Sequence, residues 1–63
     1  MEDYKKQALA FYLRGAVLSY EHGKYEITVA LCNVILRLDP GNDRAIRLRD
    51  AAMTSLRGRQ PMH

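Results

Sequence analysis

Leu36-Arg37-Leu38-Asp39-Pro40-Gly41-Asn42 reads as the end of one helix and the approach to another. Pro40 disfavours helical backbone at Asp39, and Gly41 and Asn42 favour a turn. Upstream, Tyr25 to Leu38 contains neither glycine nor proline, so this stretch is predicted to be a helix that stops at the heptapeptide. The preceding break is Glu21-His22-Gly23-Lys24, where Gly23 supplies the positive φ that commonly closes a helix. Before it, Tyr4 to His22 holds no proline and one glycine, and Glu2 and Asp3 suit the positive end of a helix dipole. Downstream, Asn42 or Asp43 is placed to accept backbone N–H groups as an N-cap. Ala45, Leu48, Ala52 and Leu56 then share one stripe with arginines around it, and this third helix is expected to end near Gly58. Residues 59–63 are expected to form a frayed tail. The reading is all-α, one domain over residues 1–58.

The chain has 63 residues, room for one small core. Chains this short commonly rely on disulfides, a metal or a partner chain. Cys32 is the only cysteine, so no disulfide forms within the chain. His22 and His63 lack the clustered ligand spacing of a zinc site, so no metal or other cofactor is expected. Association with another chain is the remaining support. Charges at Glu2, Asp3, Lys5 and Lys6 interrupt any secretory leader, and no apolar run approaches the ~20 residues of a membrane span. A cytoplasmic, reducing environment and no membrane contact are therefore expected.

The net charge of +3 is unevenly placed. Residues 1–42 balance to zero, whereas Arg44, Arg47, Arg49, Arg57 and Arg59 outweigh Asp43 and Asp50 by three. The helices differ too. The third has a polar back, but the first is apolar nearly all round, with a narrow polar strip at Gln7, Arg14 and Glu21. The second is similar, its strip being Glu26, Asn33 and Arg37. A three-helix chain cannot bury two such helices by itself, so another surface must cover them.

The spacing resembles a tetratricopeptide (TPR) repeat, a unit of about 34 residues built as helix, turn, helix. The resemblance covers residues 9–42. Tyr12 takes the aromatic site, Ala16 the small site, Gly23-Lys24-Tyr25 the inter-helix turn, and the opening heptapeptide the closing phrase. It implies a TPR-like helix-turn-helix hairpin, with residues 43–57 as a third, capping helix. The chain departs from the family at Gly15, Ser19, Thr28 and Cys32, which stand for leucine, tyrosine, alanine and an aromatic. A glycine inside a helix costs roughly 1 kcal/mol against alanine, so Gly15 suggests a close helix contact. TPR units bury their faces against neighbours, and about three are normally needed. A lone unit is therefore expected to be either a piece of a longer array or, the favoured reading, completed by self-association as a homodimer, with exchange of the third helix over the Asp39–Asn42 hinge as one route.

The resemblance places a partner-binding groove on the first helix, at Ala10, Leu13, Val17 and Tyr20 with Arg14 at its edge. Leu13 and Val17 cannot donate the hydrogen bonds with which some family members grip a C-terminal carboxylate, so an amphipathic or extended peptide is the expected occupant. The contacts expected to mediate self-association or close helix packing are Gly15, Ser19, Leu31, Ile35, Leu38 and Leu48. Arg44, Arg47, Arg49 and Arg57 form a candidate basic patch, but Asp43 and Asp50 interrupt it and no aromatic rings interleave with it, which argues against nucleic acid. Cys32 lies among Leu31, Val34 and Ile35 and reads as core rather than as a nucleophile. Nothing in the chain suggests catalysis.

The sequence therefore points to a self-associating protein–protein interaction module, a scaffold or adaptor rather than an enzyme. Two alternatives stand beside it. One is a secretion-chaperone-like adaptor that completes its fold on a different protein. The other is a basic nucleic-acid-binding domain.

Overall fold

A computed structural model describes residues 2–59 of the chain, with side chains from 4 to 58. It is all-α: α1 spans Glu2–Glu21, α2 spans Tyr25–Leu38 and α3 spans Asp43–Arg59. Residues 60–63, most of the tail expected to fray, lie outside the described residues. Arg59 is helical, so α3 runs past the expected stop at Gly58. The reason is local: among the described residues only Gly23 has positive φ, so Gly58 does not act as a terminator.

The turns follow the chemistry of their residues. Gly23 has φ 75°, its N–H donates to Tyr20 O (3.0 Å), and the Lys24 N–H reaches Ser19 O (2.8 Å). That pair of bonds satisfies carbonyls which the end of α1 would otherwise leave open. At the second turn the Asp39 N–H still donates to Ile35 O (2.8 Å), and the Asn42 N–H donates to Asp39 O (3.0 Å). Asn42 Oδ1 then accepts the Ala45 N–H (3.0 Å), so Asn42 rather than Asp43 caps α3. Asp43 instead pairs with Arg47 one turn on (2.9 Å).

Small residues bring the helices together. Ala16, Cys32, Ile35 and Ala45 are fully buried, with Leu9, Tyr12, Leu13, Leu31, Leu36 and Leu48 packed around them. A Cβ placed on Gly15 would lie 3.3 Å from Leu31 Cδ1, so the missing side chain is what admits Leu31. Ser19 and Thr28 close the other part of the crossing, their hydroxyls 2.8 Å apart. Ala16 O (2.9 Å from Ser19) and Lys24 O (3.1 Å from Thr28) are their acceptors. With one proton each, the two hydroxyls bond one another and one of these carbonyls, which leaves buried Thr28 satisfied.

The order of packing is sequential: α2 lies between α1 and α3, which touch each other far less. The result is long and thin, 50 × 21 × 13 Å, with a radius of gyration of 12.5 Å. A compact domain of this length would have a radius of roughly 11 Å. The chain exposes 5043 Å² at 7.2 kDa, where a compact monomer of that mass would expose about 4,100 Å². Three helices in near-solenoid order leave the broad faces of the slab open.

Candidate functional site

Helix α1 is flanked by two clefts. On the α3 side, Leu13, Val17 and Tyr20 face Arg44, Arg47, Leu48 and Ala51 across a groove of about 480 Å³. The groove exists because α3 packs on α2 and touches α1 far less, which leaves a gap between the two. Its floor is aliphatic and its α3 rim is cationic. Tyr20 at one end packs edge-to-face on Tyr25, ring centroids 5.3 Å apart, which fixes that wall. Arg47 is held by Asp43, whereas Arg44 has no acidic partner within 4 Å among the described residues.

The structure divides the five expected groove residues. Leu13, Val17 and Tyr20 stand together on the α1 wall. Ala10 is exposed one turn away. Arg14 lines the cleft on the opposite side of α1, away from α3. Successive helical residues are about 100° apart, so Arg14, next to Leu13 in sequence, leaves its face.

The expected close-contact set also divides. Gly15 and Ser19 meet Leu31 and Thr28 as described above, and Ile35 is fully buried. Leu48 belongs to the groove wall, and Leu38 stays 39% exposed. The four arginines do not form one patch. Arg44 and Arg47 line the groove, but Arg49 turns toward α2, where Nη1 donates to Asn33 Oδ1 (3.2 Å) and Nε is buried. Arg57 is exposed farther along α3.

Cys32 is fully buried. Burial pushes its thiol above the ordinary value, against a weaker downward pull from the Arg49 charge. A thiol kept neutral and out of water is a poor nucleophile. His22 is exposed, and its Nδ1 lies 2.8 Å from Leu18 O, capping the end of α1. Among the described residues no group of His, Cys, Asp or Glu is arranged to hold a metal ion, and no helix is long and apolar enough to cross a membrane.

The second cleft was not singled out from the sequence. It measures about 490 Å³ and is lined by Phe11, Tyr12, Arg14, Gly15, Leu18 and Leu31. It continues along α1 into a shallower one formed by Tyr4, Gln7, Ala8, Phe11 and Tyr12. Tyr4 is 80% and Phe11 74% exposed, and Leu18, Ile27 and Leu38 are also largely uncovered. The spacing of Tyr4, Phe11 and Leu18 at seven-residue intervals was the available signal for this stripe.

The fold and its surfaces define a class: an all-α helical hairpin extended by a third helix. Comparison with protein-family models, curated proteins and solved structures finds no match to this chain in any of the three.

Proposed function

We propose that the chain is a TPR-like protein–protein interaction module that works as a homo-oligomer and receives a partner segment in the groove between α1 and α3. The observation that carries this is α1 itself. It has apolar residues on both flanks, and among the described residues neither flank is fully covered: Val17 remains 39% exposed beside the groove and Phe11 74% exposed on the other side. Scattered exposed hydrophobics are ordinary, but a continuous stripe on a helix marks a binding surface. The hairpin geometry, the Gly23 closure and the Asn42 cap agree with the TPR resemblance.

The groove favours an amphipathic segment whose apolar side meets Leu13, Val17 and Leu48 and whose acidic side meets Arg44. Catalysis has no support in this arrangement, and the arginines are too dispersed to track a phosphate backbone. In the proposed oligomer α3 stays on its own α2, where it packs in this structure, and the copies meet by apposed faces.

The test is solution mass by light scattering across a dilution series, with circular dichroism on the same samples. A helical dimer or larger assembly is expected. A well-folded monomer at every concentration would sink the homo-oligomer, and a chain that is molten until a different protein is added would favour the adaptor instead.

A further inference from the structure

Helix α1 carries a second periodicity on the flank away from α3. Tyr4, Ala8, Phe11, Gly15 and Leu18 follow one another at alternating steps of four and three residues, the spacing of a coiled-coil seam. Large and small side chains alternate along it. Tyr4, Phe11 and Leu18 project outward, and Ala8 and Gly15 leave gaps between them, the Gly15 gap being the second cleft.

We propose that this seam pairs with the same seam of a second copy, antiparallel, in a register centred on Leu13. This rests on the homo-oligomer reading above and specifies its interface. In this register Phe11 of each copy meets Gly15 of the other and Leu18 meets Ala8, so the four central layers each set a large side chain against a small one, with Tyr4 opposite His22 at the two ends. The arrangement is isologous: a two-fold axis makes both contacts twice, as a closed dimer requires.

Three observations select a second copy over another occupant. The first is the self-complementary shape, which a foreign chain would have to imitate. The second is charge: from Ala8 to Tyr20 the only charged residue is Arg14, and Ile27 to Leu36 has none, so the surface offers little to steer an acidic or basic partner. The third is area. Tyr4, Phe11 and Leu18 are 80%, 74% and 47% exposed, leaving on the order of 400 Å² per copy, and twice that approaches the roughly 1,000 Å² expected of a specific interface.

The experiment mixes two single-cysteine additions, Ala8→Cys and Leu18→Cys, under mild oxidation, with buried Cys32 left in place. The register brings residue 8 of one copy beside residue 18 of the other and holds two copies of residue 8 about 15 Å apart along the axis. A covalent dimer from the mixture, and none from either chain alone, is the expected result. In parallel, Phe11→Glu should weaken dimerisation at least about 100-fold, as burying an unpaired charge does, with helicity retained at high concentration. A dimer that survives Phe11→Glu and gives no mixed cross-link would overturn the seam while leaving homo-oligomerisation intact. A parent chain that is monomeric and helical would overturn both and free the face for a different protein.

Discussion

On one side of the hairpin α3 lays Ala45, Ala52 and Leu48 against α2, and the residues there are buried or nearly so. On the other side Phe11, Leu18, Ile27 and Leu38 stay exposed, although they are no less apolar. The two sides differ in their neighbours: among the described residues α3 covers one and no helix covers the other. Burial here is decided by what lies next to a residue, and hydropathy alone does not separate the finished face from the open one.

That comparison can be broken by substitution. Ile35→Ala on the finished side removes the largest fully buried side chain and should cost about 3 kcal/mol. This is comparable with the whole stability of a chain this small, so thermal unfolding by circular dichroism should show no cooperative transition or a much lower midpoint. A midpoint close to the parent's would mean that the core lies elsewhere.

Thr28→Val should cost about 1 kcal/mol, because it removes the buried bond between the Ser19 and Thr28 hydroxyls while keeping the shape and leaving Ser19 only its Ala16 acceptor. Thr28→Ser should recover much of that loss, and equal midpoints for the two variants would dismiss the hydroxyl pair. Asn42→Ala removes the cap of α3 and should lower stability by about 1 kcal/mol in denaturant titration. An unchanged titration would mean that Asp39 and Pro40 hold the turn without it.

On the open side the expectation reverses. Phe11→Ala should shift the unfolding of a dilute, monomeric sample by less than about 0.5 kcal/mol, although more atoms are deleted than in Ile35→Ala. The same variant should show its effect only at concentrations where the parent associates. A large loss in the monomer would place Phe11 in the core and erase the distinction between the sides. Arg47→Ala, which removes only an exposed ion pair with Asp43, should leave the midpoint unchanged within error.

Much of the fold is legible in the residues because its signals are local. Gly23, Pro40 and Asn42 act on the backbone within a few positions of themselves, so α2 begins and ends where they dictate. Gly15 is a partial case. Its cost within a helix announces a close approach, but only the packed hairpin names Leu31 as the neighbour. The groove was half legible: Leu13, Val17 and Tyr20 were identifiable from α1, whereas Ala10 and Arg14 fall off that wall. The opposite wall, Arg44, Leu48 and Ala51, depends on where the second turn aims α3. The positions of the arginines were not legible for a related reason, since residues close in sequence on a helix point in different directions, and Arg49 finds Asn33 on another helix.

The sequence by itself determined three helices, their boundaries near the two turns, and an excess of apolar surface on the first two, because breakers, caps and periodicity act over a few residues. The tertiary structure alone decided which apolar residues remain open, that Ser19 and Thr28 share a bond, and that α1 has a basic-rimmed groove on one flank and an exposed apolar stripe on the other. Those outcomes depend on the angle at which each turn sends the next helix and on how closely small side chains let helices approach, and both emerge only when distant parts of the chain are packed together.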